Sequence, residues 1–189
     1  MTSELVIRAQ RGDHEAFDAL ATAAYHRLYA IARRILRDGY AAEDAVQDAL
    51  VKAWRDLRAL RDPDRFDAWL HRLLVRACMD HVERRNRRAV EISGLDLELG
   101  FGPGAVDDRL GQLVDRDELE RAFLELPVSQ RAALVLTHYV GLSAAEVGVI
   151  LGVPPGTVAS RLHYGARAMR AAIAGGPPTA PEPSPEPGR

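Results

Sequence analysis

Apolar residues recur at helical spacing through most of the first half of the chain. After Asp13, a residue type suited to a helix N-cap, they predict a long amphipathic helix that Asp38-Gly39 stops. Two further segments repeat this period, and a break at Arg61 to Asp64, which contains Pro63, separates them. No segment alternates as a strand would, so we predict an all-helical domain over residues 1–89. The apolar stripes of its three predicted helices contain Phe17, Leu20, Leu28, Ile31 and Ile35; Val46, Leu50 and Trp54; and Trp69, Leu70, Leu73, Leu74 and Val82.

The second half contains a connector, another helical block and a tail. Residues 90–116 are rich in glycine and aspartate with isolated apolar residues, a composition typical of a flexible linker. Helical spacing returns over residues 117–173. Residues 174–189 contain six prolines and few apolar residues, which predicts a disordered tail. The fold class that we predict is therefore all-α, with two small helical domains joined by a flexible linker.

One segment of the second domain has the pattern of a helix-turn-helix. Ser143 and Glu146 are spaced as a capping box that starts one helix, and Gly152 to Pro154 ends it. Pro155 then stands where prolines commonly open a helix. Gly148 and the neighbouring alanines would let the two helices approach closely. We therefore predict that the helix from Pro155 enters a DNA groove.

That helix has two faces of different chemistry. An apolar stripe at i, i+4, i+7 and i+11 should pack on the preceding helices, and it consists of Val158, Leu162, Gly165 and Met169. The other face offers hydroxyl, imidazole and guanidinium groups that suit DNA bases and phosphates. A helical hairpin with an ordinary solvated face would fit the same spacing. The candidate DNA-contacting residues are Thr157, Ser160, Arg161, His163, Tyr164 and Arg167.

Composition and charge narrow the class of protein. The chain has 189 residues, of which 47% are hydrophobic, enough for one or two small cores. It has no apolar run near about 20 residues and no leader pattern, so we expect a cytoplasmic protein without membrane insertion. The net charge of −2 conceals two blocks of +3, residues 1–90 and 121–173, around a block of −7 over residues 91–120. Basic blocks flanking an acidic linker suit a DNA-binding chain.

Three separated motifs, in a fixed order, resemble a known family. The first runs from Ala42-Glu43-Asp44 to Trp54, and the second from Trp69-Leu70 to Arg84-Arg85. The third runs from Leu126-Pro127 through Gly141-Leu142-Ser143 to Ser160-Arg161-Leu162. Together they resemble the extracytoplasmic-function group of sigma-70-type sigma factors of bacterial RNA polymerase. The resemblance implies a non-enzymatic protein without a cofactor or metal, which binds core RNA polymerase and recognises the −10 and −35 promoter elements.

The resemblance also assigns roles to residues. Four polar residues of the second helix would bind the beta-prime clamp helices of the polymerase, although a solvated acidic face is the alternative. The loop before the third helix would capture a base of the −10 element, and the second domain would meet the beta flap and the −35 element. The polymerase-binding candidates are Glu43, Asp44, Gln47 and Asp48; the −10 candidates are Phe66, Arg72, Arg76, Arg84 and Arg85. An anti-sigma factor is a further partner that the family suggests.

Departures from the family pattern affect the expected promoter preference. The family usually has a basic residue at Ala159 and often one at Tyr164, and it differs at Arg76 and Glu83 as well. We therefore expect promoter sequences that differ from the usual ones.

Other classes of protein are also considered. The alternative function is a stand-alone helix-turn-helix regulator with an N-terminal sensing or dimerisation domain. A metal site at His71, Cys78 and His81 lacks a fourth ligand. Trp54, Trp69 and Cys78 are expected in the core.

Overall fold

The computed structural model describes residues 2–93 and 114–174, so residues 94–113 of the predicted linker (90–116) and the tail from residue 175 lie outside the described residues. The described residues form helices and turns, with no strand among them. The helices are α1 (Thr2–Gln10), α2 (His14–Leu36), α3 (Gly39–Asp56), α4 (Phe66–Ser93), α5 (Val114–Glu125), α6 (Val128–Leu134), α7 (Ala144–Leu151) and α8 (Pro155–Ile173). Short 3-10 turns at Leu57–Ala59 and Pro63–Arg65 join α3 to α4, and a π-helical turn at Val135–Tyr139 follows α6. This confirms the all-α fold class.

Caps decide where α2 and α3 begin and end. The Asp13 carboxylate accepts a hydrogen bond of 3.0 Å from the Ala16 N–H, which confirms it as an N-cap. This bond, and the ion pair with Arg8, lower the pKa of Asp13. The prediction that Asp38-Gly39 stops α2 was wrong by a residue, because Arg37 in left-handed geometry (φ 68°) ends that helix. Asp38 instead caps α3, accepting from Ala41 N–H at 3.1 Å.

Helices α2, α3 and α4 pack on one another around a single apolar core. Leu28, Ile31 and Ile35 of α2 are completely buried in it. Helices α3 and α4 run antiparallel, as exposed ion pairs between them indicate: Lys52 with Asp80 at 3.3 Å and Asp48 with Arg84 at 3.4 Å. Such exposed pairs add little stability, so burial of the apolar stripes holds this unit together.

Helix α1 and the far end of α4 were not predicted correctly from the sequence. Helix α1 precedes the predicted start at Asp13, and it buries Val6 and Ala9. Helix α4 continues to Ser93, so the predicted domain boundary at residue 89 lies inside a helix. The missed helix is short and its apolar residues are nearly consecutive, at positions 5, 6, 7 and 9, which leaves a weak periodic signal.

The second unit contains α5 to α8 and packs directly on the first. Helix α6 and the π-helical turn contact α2, and α7 contacts α4. Arg131 lies at this contact and is only 2% exposed. Its guanidinium donates hydrogen bonds to three backbone oxygens. They are Leu124 O at 3.0 Å, Leu126 O at 2.7 Å and, from the first unit, Ile35 O at 2.9 Å.

Two arginines of the first unit, Arg34 in α2 and Arg37 directly after it, reinforce the contact between the units. The Arg34 guanidinium lies over the Tyr139 ring at 4.1 Å from its centre, and Arg37 donates to Leu124 O. Burial lowers the pKa of Arg131 to about 10, so this side chain is still a cation at neutral pH. The contact is therefore cationic, with arginines directed at helix ends and at one aromatic ring.

Replacing Arg131 by methionine should lower the free energy of unfolding by about 3 kcal/mol, because three carbonyls lose charged donors in a site closed to water. Urea unfolding followed by circular dichroism measures this change. Arg55→Met, at an exposed position of α3, is the matched control and should change stability by less than about 0.5 kcal/mol. Equal effects of the two substitutions would show that the guanidinium contacts contribute nothing.

Candidate nucleic-acid and partner interfaces

The predicted capping box at the start of α7 is present. The Ser143 hydroxyl accepts from the Glu146 N–H at 3.3 Å, and the Glu146 carboxylate accepts from the Ser143 N–H at 2.8 Å. The bond to the Ser143 hydroxyl is the main cause that lowers the pKa of Glu146, and Arg65 of the first unit contributes. The capping box therefore fixes where α7 begins, as the spacing predicted.

Two glycines shape the turn between α7 and α8. Gly152 ends α7 with φ of 68°, a left-handed geometry that glycine adopts without cost. Gly148 lies in α7, where a Cβ would stand 2.8 Å from the Val153 carbonyl oxygen of the turn. The backbone can fold back this tightly only because position 148 has no side chain.

Helix α8 turns its predicted apolar stripe inward, with Val158 and Gly165 buried and Leu162 and Met169 half-buried, and it exposes the opposite face. Val158 is completely buried, and Gly165 packs against Leu134 and Gln130 of α6. The hydroxyl of Ser160, on the other face, donates to Gly156 O at 3.1 Å. Four of the six predicted DNA-contacting residues, Ser160, His163, Tyr164 and Arg167, are exposed, and the other two, Thr157 and Arg161, are half-buried.

The two half-buried residues lie at one edge of this face. Helical geometry places Thr157 and Arg161 one turn apart, between the exposed face and the apolar stripe. Burial lowers the pKa of Arg161. On the exposed face the rings of His163 and Tyr164 meet edge to face, with centres 5.6 Å apart. The six predicted residues therefore form one continuous surface of α8.

The polymerase-binding candidates lie together on the solvent side of α3. Glu43, Asp44 and Gln47 are exposed, and Asp48 is half-buried beside Arg84. The other side of α3 packs into the core through small side chains: Ala42, Ala45, Val46, Ala49 and Ala53. The result is a rigid helical surface with carboxylates directed outward.

The five −10 candidates do not form one surface in this structure. Arg72 and Arg76 are one turn apart on α4, with Arg76 exposed and Arg72 half-buried. Arg85 follows Arg72 by about three and a half turns and lies on another side of α4, where its positive charge contributes to lowering the pKa of Arg37 and of Arg131. Arg84 pairs with Asp48, so it borders the acidic face of α3.

Phe66 lies in the core and not on the loop surface. It is the first residue of α4 and is 3% exposed, with its ring centre 6.1 Å from that of Trp69. Trp69 packs on the core, as predicted. Trp54, also expected in the core, lies half-buried against His14 and Phe17 and is not part of the core cluster. Phe66 and Trp69, the two aromatic residues that follow the loop, therefore face inward.

Some exposed residues beside these surfaces were missed in the sequence. Arg58, Arg61 and Arg65 are exposed around the loop between α3 and α4. On the acidic side of α3, Tyr40 is 85% and Val51 58% exposed. The sequence does contain a signal for each group. The arginines recur at short intervals, and the two apolar residues lie outside the stripe that faces the core.

Buried titratable groups offer no chemistry in the described part of the chain. Burial raises the pKa of the Cys78 thiol to about 12, which keeps it protonated and inert. Burial, with Arg27, lowers the pKa of His71. Among residues 2–93 and 114–174 no group of three His, Cys, Asp or Glu could hold a metal ion. Within the same ranges no helix has the length and apolarity to cross a membrane.

Comparison with known proteins decides the family. The model of sigma-70 region 2 matches residues 20–88, and the model of sigma-70 region 4 matches residues 116–169. A curated relative, RNA polymerase sigma-H factor of Pseudomonas aeruginosa, is 32% identical over 90% of this chain and 92% of its own length. The chain belongs to the extracytoplasmic-function (ECF) family of RNA polymerase sigma factors. ECF RNA polymerase sigma factor SigM of Mycobacterium tuberculosis is 38% identical over 92% of this chain and 84% of its own length.

Two solved structures resemble this sigma factor over most of its length. One is the sigma factor RpoE in complex with the anti-sigma factor NepR from Bartonella quintana, with a TM-score of 0.67 and 25% identity. It covers 84% of this chain and 96% of RpoE. The other is CnrH in complex with the cytosolic domain of CnrY, with a TM-score of 0.64, 26% identity and coverage of 92% of this chain and 97% of CnrH. Residues 14–93 thus contain sigma region 2, and residues 114–173 contain region 4.

Gly148→Ala should disrupt the helix-turn-helix, because the new methyl group would collide with the Val153 carbonyl. We expect lower stability and at least tenfold weaker promoter binding. Gly156→Ala is the control, because a Cβ there meets nothing within 4 Å, and it should leave stability unchanged or slightly higher. Thermal unfolding and DNA binding by the reconstituted holoenzyme measure both effects. Identical behaviour of the two variants would contradict the tight turn.

Proposed function

We propose that this sigma factor binds core RNA polymerase in the cytoplasm and directs promoter-specific initiation by recognising −10 and −35 elements. One observation carries the proposal: the chain pairs an exposed recognition face on α8 with an exposed acidic face on α3. The first suits DNA, and the second suits a basic protein partner. A stand-alone regulator would have no use for the acidic face.

The acidic face of α3 is the proposed polymerase-binding surface. Glu43, Asp44, Gln47 and Asp48 can accept hydrogen bonds from arginine-rich helices, which the family identifies with the beta-prime clamp helices. Small residues hold α3 rigidly against the core, so the surface is formed before binding. Little conformational entropy is then lost on association.

The exposed face of α8 is the proposed −35 surface. Arg161 and Arg167 would bond phosphates, and Ser160, His163 and Tyr164 would reach base edges. Thr157 would offer its hydroxyl to a phosphate, because the N–H groups of Thr157 and Val158 already donate to Pro154 O at 2.9 and 3.3 Å and Pro155 has no N–H. A tyrosine at position 164 and an alanine at position 159 change the groups offered to the bases, which supports an altered −35 preference.

The proposed −10 surface begins at the loop before α4 and follows Arg72 and Arg76. These cations would bind phosphates of the separated strand. Arg84 borders the acidic face of α3 and Arg85 lies on another side of α4, so neither extends this surface in the present structure. As a platform for a flipped base, Phe66 would have to leave the core, at a cost of roughly 2–3 kcal/mol. The DNA must supply that energy through stacking.

Regions 2 and 4 would have to separate to read two elements at once. In this structure α7 packs on α4, and Arg131 bonds Ile35 O across the contact. The connecting residues 94–113 could span at most about 70 Å when extended. We propose that binding to the polymerase, including its beta flap, compensates for the lost contacts. An anti-sigma factor that favours the closed pairing would oppose this step. One structural neighbour, RpoE, was solved in complex with the anti-sigma factor NepR.

Reconstitution with sigma-free core polymerase tests the function. Purified chain and core enzyme are combined and presented with a random promoter library, and transcripts are sequenced. We expect start sites that share two separated sequence elements and vanish without the chain. If core polymerase neither binds the chain nor initiates with it, the proposal is wrong.

The division of labour between the two surfaces is tested with two variants. Asp44→Arg should weaken core binding at least tenfold, because it places a positive charge opposite a basic partner. The control is Asp18→Arg, at an exposed position of α2, which should leave core binding unchanged. Arg161→Ala should weaken promoter binding and leave core affinity unchanged. Fluorescence anisotropy of labelled chain with core enzyme, and of labelled DNA with holoenzyme, measures each affinity. Equal losses of core affinity in both variants would contradict separate surfaces.

A further inference from the structure

Helix α1 supports the loop between α3 and α4. It lies outside residues 20–88, which match the region 2 family model, yet it packs on α2 and on both 3-10 turns of that loop. Val6 and Ala9 anchor it by complete or near-complete burial. The loop residues 57–65 therefore rest on an element that the region 2 model does not include.

The side chain of Gln10 makes the central contact. Its amide nitrogen donates two hydrogen bonds, to Leu57 O at 3.1 Å and to Leu60 O at 2.7 Å. The same two residues close the first 3-10 turn, where the Leu60 N–H donates to Leu57 O at 3.1 Å. Both protons of one amide group are thus used to fix a single turn.

A second contact of α1 holds the other end of the loop. The Ser3 hydroxyl donates to the Asp64 carboxylate, which belongs to the second 3-10 turn. Asp62 caps that turn, accepting from the Asp64 N–H at 3.1 Å. With Leu57 only 1% exposed, the loop is held by side chains at both of its ends.

The loop presents cations to solvent. Arg58, Arg61 and Arg65 are exposed, and Arg65 alone of the three pairs with a carboxylate among the described residues, Asp62 at 3.4 Å. Guanidinium groups spaced along a short loop suit the phosphates of a single strand. Their relative positions depend on the shape of the loop, because the backbone of the loop carries all three.

We propose that Gln10 is a positioning residue for capture of the unpaired −10 strand. It does not touch DNA; it acts through the carbonyls of Leu57 and Leu60, which fix the turn that carries the arginines. The proposal rests on the proposed function, because it requires that this chain separates promoter strands. A glutamate at position 10 would keep the shape of the side chain and remove both donors.

Hydrogen exchange in the free chain tests the contact itself. In Gln10→Glu, the amide protons of Leu60 and Arg65 should exchange at least tenfold faster, while those of α8 are unchanged. Gln10→Lys keeps a donor and should stay near the wild-type rate, and Gln10→Met removes the donors without adding charge. Glu4→Gln, at an exposed position of α1, is the control. Wild-type exchange in both Gln10→Glu and Gln10→Met would overturn the proposal.

Promoter opening by the holoenzyme tests the role. The probe is a promoter selected with wild-type holoenzyme, and permanganate reactivity of unpaired thymines reports strand separation. We expect Gln10→Glu and Gln10→Met to slow opening at least tenfold, with core affinity within twofold of wild type and recovery in Gln10→Lys. A parallel loss of core affinity would indicate a general structural role and overturn the proposal.

The two failures remain distinguishable. A wild-type chain that binds core polymerase but opens no promoter would overturn the proposed function and, with it, the role of the loop. Opening at the wild-type rate by Gln10→Glu and Gln10→Met would overturn the role of Gln10 alone. If circular dichroism shows that either Gln10→Glu or Gln10→Met is unfolded, the other variant decides whether Gln10 positions the loop.

Discussion

The buried guanidinium of Arg131 is the interaction on which the arrangement of the molecule depends. The last carbonyls of an α-helix have no donors within the helix and form the negative end of its dipole. Arg131 satisfies such carbonyls at the ends of two helices, α5 through Leu124 and Leu126 and α2 through Ile35. One cation therefore fixes the internal packing of region 4 and joins it to region 2. In the separation that we propose, the first role would persist and the bond to Ile35 would be lost.

Each functional surface is the exposed side of a helix whose other side is packed tightly. Helix α3 uses small residues such as Ala45 and Ala49 to lie close to the core, which leaves its carboxylates on a rigid base. Helix α8 uses Gly165 in the same way against α6, and Gly148 lets α7 pack closely against the turn that leads into α8. Close packing thus positions the surfaces, and the exposed side chains determine which partner each one fits.

The helix-turn-helix was predicted from the sequence in detail, since its capping box, glycine turn and apolar stripe are local features with strong spacing rules. Long-range features were not. Helix α1 is recognisable mainly by what it contacts, and the partners of Gln10 lie 47 and 50 residues away. Phe66 was expected in the loop before the third helix, as the wall that a flipped base would meet, but it is the first residue of α4 and its side chain is buried. The contacts of Arg131 span up to 96 residues, beyond any periodic signal.

The central claim is that two separate surfaces of one factor address two separate promoter elements. A DNA-cleaving iron chelate attached to a cysteine tests it most directly, in a Cys78→Ala background that leaves one reactive thiol. The chelate is placed at Ser160 in one preparation and at Arg76 in another, each bound to core polymerase on a selected promoter. The account predicts cleavage at the −35 element from Ser160 and at the −10 element from Arg76. Cleavage of the same element from both positions, or of neither, would contradict it.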